Sequence, residues 1–124
     1  MTINSICICG AGTMGSGIAQ VSAQAGFHTL LYELNPAVLD KARVSIETSL
    51  QKLVEKGKIS AEVKQNTFDR IQFTNDLQYC LADVFIEAIV EKPEIKSAIF
   101  NQLAELNHSE CIFATNTSSL SVTN

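Results

Sequence analysis

The sequence predicts one α/β domain over residues 1–124, built on an open, doubly wound and mostly parallel β-sheet. Three observations support this fold class. Short apolar runs alternate with helical patterns along the chain, a glycine-rich turn joins the first run to the first helix, and a later run is apolar enough for a parallel strand covered on both faces. A chain of 124 residues is long enough to bury one core.

Composition excludes several classes of protein. Hydrophobic residues make up 46% of the chain, charged residues 18%, and the formal net charge is -4. No apolar run approaches the ~20 residues that a membrane span requires, and an acidic chain does not favour nucleic acid. The first residues, 1–5, show neither the charged nor the apolar region of a signal peptide. We therefore expect a cytoplasmic protein with no membrane or nucleic-acid partner.

The four cysteines raise the question of disulfides or a metal. Cys7 and Cys9 lie two residues apart on a predicted strand, while Cys80 and Cys111 are distant in sequence. No Cys-x-x-Cys or Cys/His metal spacing occurs. The expected state is four reduced, buried thiols and no metal site.

The first strand, turn and helix predict a dinucleotide site. The strand Ile6–Cys9 runs into a G-x-G-x-x-G turn at Gly10–Gly15, and a helical pattern covers Ser16–Ala25. In this context the first glycine permits a sharp turn, the second lets the backbone approach a pyrophosphate, and the third lets helix and strand pack closely. Helix N–H groups would face the phosphates. The cofactor-binding candidates here are Gly10, Gly12, Thr13, Met14 and Gly15.

The second strand predicts which dinucleotide binds. Gly26 suits the end of the first helix, Phe27–Tyr32 reads as a strand, and Glu33 follows it. Glu33 lies about 20 residues beyond the glycine turn, the position of the acidic residue that accepts hydrogen bonds from the adenosine ribose. Its charge would repel a 2′-phosphate, which favours NAD over NADP. Alone, it could also be a solvated residue at a strand end.

A helical hairpin is predicted between the second and third strands. Asn35 is a suitable N-cap and Pro36 a suitable first helical residue. Apolar residues then recur at helical spacing to about Gly57, and a shorter helical pattern covers Ser60–Arg70 before a strand at Ile71–Phe73. The longer helix of this hairpin exceeds the length needed to connect two parallel strands, so we expect both helices to project from the sheet.

The remaining elements complete the sheet. A short helix should follow Asn75 as far as about Leu81, and strands are predicted at Asp83–Val90 and Cys111–Ala114, with a helix opened by Pro93 between them. The expected strand order is 3-2-1-4-5, a Rossmann arrangement. Ligands of such sheets bind at the carboxyl ends of the strands, here between the first and fourth.

Three motifs together resemble a known family. They are residues 10–20, the run Glu87–Glu91 followed by Lys96, and the run Asn116–Leu120. In order and approximate spacing they resemble the NAD-binding domain of the 3-hydroxyacyl-CoA dehydrogenases, including 3-hydroxybutyryl-CoA dehydrogenases. The resemblance covers essentially the whole chain, and its second and third motifs are the more specific ones.

The resemblance implies an activity and further site residues. The full-length enzyme would oxidise (3S)-3-hydroxyacyl-CoA to 3-oxoacyl-CoA in fatty-acid β-oxidation or butanoate metabolism, and would be a homodimer. Glu91, Lys96 and Asn116 match cofactor contacts. Ser118 matches the catalytic-site serine that hydrogen-bonds the substrate 3-oxygen, and Ser49 and Lys56 match contacts to coenzyme A.

Simpler interpretations of these residues stay open. The polar run from Asn116 could cap a helix, Lys56 could complement a helix C-terminus, and Lys96 could be a solvated helix residue. The chain could also belong to another hydroxyacid or carnitine dehydrogenase, or to a non-catalytic nucleotide-binding or structural protein.

The family's catalytic histidine motif, Gly-x-His-Phe-Phe-Asn-Pro, does not occur. The two histidines, His28 and His108, stand in other contexts. We therefore expect an N-terminal, C-terminally truncated part of the cofactor domain, which binds NAD without turning over acyl-CoA and can self-associate through an exposed sheet edge.

Overall fold

The computed structural model describes residues 3–88, Gln102, Glu105, Asn107 and residues 112–115. Its strands form one five-stranded parallel sheet in the order β3-β2-β1-β4-β5, which confirms the predicted order. The strands are β1 Ser5–Cys9, β2 His28–Tyr32, β3 Ile71–Thr74, β4 Val84–Glu87 and β5 Ile112–Thr115. The helices are α1 Thr13–Gln24, α2 Pro36–Glu55 and α3 Ala61–Asp69, with a 3₁₀ turn at Leu77–Tyr79.

The register aligns the carboxyl ends of the strands. Cys9 pairs with Tyr32 of β2 on one side and with Glu87 of β4 on the other. Tyr32 pairs in turn with Thr74, and Glu87 with Thr115. The last residues of all five strands therefore form one row, and the glycine turn after β1 and Glu33 after β2 leave the sheet at this edge.

Two cores cover the two faces of the sheet. On one face, Ile8 and Leu31 pack with α1 and with the buried stripe of α2, whose members include Ile46 and Leu50. Cys7 and Cys9 point to the other face, where they pack with Phe85 and Cys80 among other residues. The strict alternation along β1 is that of a central strand buried on both sides.

Local sequence signals explain where the helices begin and end. Asn35 caps α2 by accepting a hydrogen bond from Ala37 N–H at 2.9 Å, and Pro36 is the first residue of the helix. Ser60 caps α3 in the same way, through Val63 N–H at 3.1 Å. Beyond α1 and α2, Gly26 and Gly57 have φ values of +102° and +73°, the left-handed conformation that ends helices.

Three predicted boundaries were wrong in detail. Helix α1 begins at Thr13 rather than Ser16, because Gly12 already acts as its N-cap. The short helix after Asn75 is only the single 3₁₀ turn, and within the described residues β4 covers only Val84–Glu87 of the predicted Asp83–Val90. The helix predicted from Pro93 lies largely outside the described residues, although Gln102 and Glu105 are helical.

The hairpin of α2 and α3 is held to the sheet by aromatic and polar contacts. The guanidinium of Arg43 on α2 lies 4.8 Å from the ring centroid of Phe73 on β3, and Phe68 of α3 packs on the same ring at 5.7 Å. Lys64 Nζ of α3 donates to Gln51 Oε1 of α2 at 2.8 Å. In the part of the chain that the structure describes, no helix is both long and apolar enough to span a membrane.

Candidate cofactor-binding site

The glycine turn leaves the sheet at the carboxyl end of the central strand. Gly10 has a φ of +110°, a conformation that residues with a Cβ rarely adopt. Its N–H donates to Tyr32 O at 2.8 Å, so the turn begins while still bound to β2. The chain then reverses direction into α1 within three residues.

Gly15 lets α1 pack directly on this turn. A Cβ at Gly15 would collide with the carbonyl oxygen of Gly10 and would lie 3.4 Å from Cβ of Ala88. Both atoms belong to the sheet edge, and the Gly10 oxygen is backbone that cannot move aside. The predicted packing role of the third glycine is therefore confirmed.

Gly12 is surrounded by open space. A Cβ built on Gly12 would meet no atom within 4 Å, and its backbone is extended, with φ of -70°. The glycine is thus not required by neighbouring atoms of the described chain. As the N-cap it has no side chain to satisfy the first N–H groups of α1, at Thr13, Met14 and Gly15. Open space in front of uncapped N–H groups at a positive helix end fits a bound phosphate.

Glu33 is joined directly to the glycine turn. Its Oε1 accepts a hydrogen bond from Ala11 N–H at 2.9 Å, and its Oε2 accepts one from Asn35 N–H at 3.1 Å. The side chain is half-buried, so the interpretation of Glu33 as a merely solvated residue is wrong. Each carboxylate oxygen keeps a further lone pair that can accept from a hydroxyl group.

Sequence reasoning missed the two N–H groups that hold this carboxylate. Nothing about Ala11 or Asn35 marks them as partners of Glu33, because backbone donors leave no trace in residue type. One signal was available: an acidic residue two positions before an N-cap can accept from that residue's own N–H, as Glu33 does here. The glycine turn, Glu33 and the start of α2 are therefore one hydrogen-bonded unit.

Other candidate residues lie elsewhere. Ser49 is half-buried on α2 and Lys56 is exposed at the C-cap of this helix; they are seven residues apart and hence lie on the same side of the helix. Glu91, Lys96, Asn116 and Ser118 lie outside the described residues. The structure thus places Glu33 beside the residues of the glycine turn that are predicted to bind the cofactor phosphates.

A thiol cluster that the sequence did not predict lies beneath this edge. Cys7, Cys9 and Cys80 are buried free thiols, which confirms the expected burial for these three. Hydrogen bonds with Cys80 and Cys9, together with burial, raise the pKa of Cys7, and the hydrogen bond from Cys7 lowers the pKa of Cys80. The described residues contain no group of three or more side chains placed to hold a metal ion.

Comparison with known proteins decides the family. A sequence model of the "3-hydroxyacyl-CoA dehydrogenase, NAD binding domain" matches residues 5–124. The chain belongs to this family. Its cofactor is accordingly NAD, in agreement with the open space at Gly12 and the carboxylate of Glu33.

Individual relatives agree with this family assignment. The chain is 44% identical over 117 residues to a "Probable 3-hydroxybutyryl-CoA dehydrogenase" of Deinococcus radiodurans, covering 94% of this chain and 42% of the relative. It is 35% identical over 122 residues to the "Fatty acid oxidation complex subunit alpha" of Psychrobacter cryohalolentis, covering 98% of this chain and 17% of that one.

A solved structure shows the same fold. The crystal structure of 3-hydroxybutyryl-CoA dehydrogenase from Escherichia coli K12 aligns with a TM-score of 0.92 and 38% identity, covering 99% of this chain and 26% of that one. This NAD-binding domain therefore spans less than half the length of the relatives that it matches.

Proposed function

We propose that this NAD-binding domain serves a dehydrogenase that oxidises (3S)-3-hydroxyacyl-CoA to 3-oxoacyl-CoA in fatty-acid β-oxidation or butanoate metabolism. The observation that carries the proposal is the 2.9 Å hydrogen bond between Ala11 N–H and Glu33, within a chain that belongs to this family. It fixes a carboxylate beside a phosphate turn, as NAD recognition requires. The whole enzyme would act as a cytoplasmic homodimer on an acyl-CoA.

The cofactor residues have distinct proposed roles. The turn residues Gly10, Gly12, Thr13, Met14 and Gly15 would surround the pyrophosphate, and Glu33 would accept hydrogen bonds from the adenosine ribose. The uncapped start of α1 and the open space at Gly12 support the first role. Glu91, Lys96 and Asn116 complete the proposed cofactor contacts on the strength of family resemblance.

Two further sets of residues would contact the substrate. NAD, when bound, supplies the acceptor for the hydride that leaves the carbon bearing the 3-hydroxyl group. Ser118 would hydrogen-bond the 3-oxygen and so orient that carbon. Ser49 and Lys56 would hold coenzyme A on the exposed side of α2.

The charge distribution on α2 supports the coenzyme A site. At 3.6 residues per turn, Lys41, Ser45, Ser49, Lys52 and Lys56 fall within about 80° of the helix circumference. Asp40 and Glu47 fall on the opposite, acidic flank, whereas Glu55 lies about 40° from Lys41 around the helix. The ion pairs found on the described hairpin, Arg43–Asp40 at 3.2 Å and Lys64–Glu47 at 3.8 Å, use this acidic flank. The basic side is thus available to the phosphates of coenzyme A.

The preference for NADH over NADPH tests the proposed role of Glu33. In calorimetric titrations of the purified chain, NADH should bind at least tenfold more tightly than NADPH. The variant Glu33→Gln, which keeps the shape of the side chain but removes its charge, should narrow that ratio severalfold, because it no longer repels a 2′-phosphate. Glu62→Gln, an exposed change on α3, is the matched control. Equal affinities for both cofactors in the unmodified chain would contradict the assignment to Glu33.

The role of α2 is tested separately with coenzyme A. Lys56→Ala should weaken binding of coenzyme A to the NADH-loaded chain by about ten- to a hundredfold, since one charge-assisted hydrogen bond to phosphate contributes about 1.5–3 kcal/mol. Lys58→Ala, a neighbouring exposed lysine outside the helix, should weaken it by less than half as much. If the two variants lose affinity equally, general charge attraction rather than a site at Lys56 explains the binding.

A further inference from the structure

Three thiols meet beneath the glycine turn although they come from two distant parts of the chain. Cys7 and Cys9 lie on β1, and Cys80 lies 71 positions beyond Cys9, just after the 3₁₀ turn. All three are 0% exposed and belong to one packed cluster. Cys80 Sγ donates to Asp76 O at 3.8 Å, and the neighbouring thiols of Cys80 and Cys9 raise the pKa of Cys7. The NAD-binding function uses none of these groups.

The backbone restricts which pair can form a bond. Cys7 and Cys9 are alternate residues of one strand, so their Cα atoms are about 6.6 Å apart, near the upper limit for a disulfide. Strand β1 is also paired on both sides, with β2 and with β4, and cannot bend to bring them closer. Cys80 lies outside the described strands, between the 3₁₀ turn and β4, and so is not held in register by strand pairing.

The segment that carries Cys80 is the part of this core best placed to open. Its neighbours Tyr79 and Leu81 are 60% and 56% exposed, so the segment lies at the surface with Cys80 turned inward. It is held by a few local bonds, such as Tyr79 N–H to Asp76 O at 3.1 Å, and by Asn107 Nδ2 to Cys80 O at 3.0 Å. Short segments with few buried contacts are the ones that open locally while the domain stays folded.

From this geometry we propose that Cys7 and Cys80 form a reversible disulfide when the protein meets a hydroperoxide. Cys80 attacks the terminal peroxide oxygen. A sulfur–oxygen bond forms, the oxygen–oxygen bond breaks, and the departing alkoxide takes the thiol proton, which leaves a sulfenic acid on Cys80. Cys7 then attacks that sulfur, and its proton leaves with the hydroxyl group as water. Two thiols are oxidised by two electrons, and the peroxide is reduced to an alcohol and water.

The positions of the two thiols assign their order of reaction: Cys80 lies on a surface segment between exposed neighbours, whereas Cys7 lies on a central strand paired on both sides. The interaction with Cys7 also lowers the pKa of Cys80, which favours the thiolate of Cys80, and the thiolate is the nucleophile. Cys7 keeps its proton until Cys80 has been oxidised. Cys80 is therefore the peroxide-reactive thiol and Cys7 the resolving thiol.

The test uses the chain with Cys111 changed to serine, so that three thiols remain. After treatment with tert-butyl hydroperoxide under native conditions, mass spectrometry should show a loss of about 2 Da and a peptide linked through Cys7 and Cys80, both reversed by dithiothreitol. The variant Cys7→Ser should instead accumulate a dimedone-reactive sulfenic acid at Cys80. The matched control, Cys9→Ser, should oxidise like its parent.

Peptide mapping of the parent chain alone decides the proposal even if a serine variant does not fold. A Cys7–Cys9 link, a link between two copies of the chain, or sulfenic acid appearing first at Cys7 would overturn it. So would oxidation that proceeds only at the rate of global unfolding, measured in parallel in urea, because the proposed reaction requires local opening of the Cys80 segment only.

Discussion

At the scale of single residues, the three glycines of the turn are required for different reasons. Gly10 is required by its backbone conformation, with φ of +110°, and Gly15 by the carbonyl of Gly10 against which it packs. Gly12 satisfies neither condition, since its φ is -70° and its surroundings are open. Two of the glycines therefore maintain the fold, and the third leaves room for a ligand.

The packing role of Gly15 leads to a stability prediction. Gly15→Ala should lower the free energy of unfolding by about 3 kcal/mol, because the new methyl group overlaps backbone that cannot move without shifting α1 from the sheet. Urea denaturation measures the change. Gly17→Ala, in the same helix with no atom within 4 Å of the added Cβ, is the matched control and should be neutral or stabilising. Equal losses in the two variants would mean that helix propensity, not the contact with Gly10, governs position 15.

At the scale of elements, signals within a few residues of each other predicted the fold well. Local patterns predict the start of α2 at Asn35–Pro36, the helix ends at Gly26 and Gly57, and the apolar strands of the sheet. The structure confirms them. The wrong boundaries have local causes that are weaker in sequence. A glycine N-cap has no side chain to mark it, so the start of α1 was placed three residues late at Ser16.

Contacts between distant elements could not be predicted. Two such contacts are the packing of Cys80 with Cys7 and the hydrogen bonds from Ala11 and Asn35 to Glu33. Both depend on how distant segments pack. No spacing of residues in the sequence marks a backbone donor or a buried thiol. For the site, the sequence placed the glycines and Glu33 at one edge by topology alone. It could not show that Glu33 also anchors the start of α2.

The start of α2 gives a prediction at this scale. Asn35→Ala removes the acceptor for Ala37 N–H and should cost about 1 kcal/mol of unfolding free energy. Asn35→Asp, which keeps a capping oxygen, should recover most of it, although its charge lies near that of Glu33. Urea denaturation of both variants checks this. A full loss in Asn35→Asp would show that repulsion between the two carboxylates outweighs the cap.

At the scale of the whole molecule, the sheet brings together the elements of the proposed cofactor site, which come from different parts of the sequence. The row of strand ends from Thr74 through Cys9 to Thr115 brings the turn and Glu33 to one edge. Glu33 then ties the turn to α2, the helix proposed to hold coenzyme A. A ligand that binds at this edge contacts groups that lie close together only when the chain is folded.

Binding of NADH should therefore stabilise the folded domain as a whole. A ligand that binds only the native state raises the free energy of unfolding by RT ln(1 + [L]/Kd), about 2.7 kcal/mol at one hundred times Kd. Thermal unfolding followed by circular dichroism at increasing NADH should give a melting temperature that rises with the logarithm of its concentration. Gly12→Val fills the open space at the turn without meeting neighbouring atoms within 4 Å of its Cβ, so it should fold but lose most of this NADH-dependent rise. Gly17→Ala should keep it. If Gly12→Val were stabilised by NADH as strongly as the unmodified chain, the cofactor would bind somewhere other than the glycine turn.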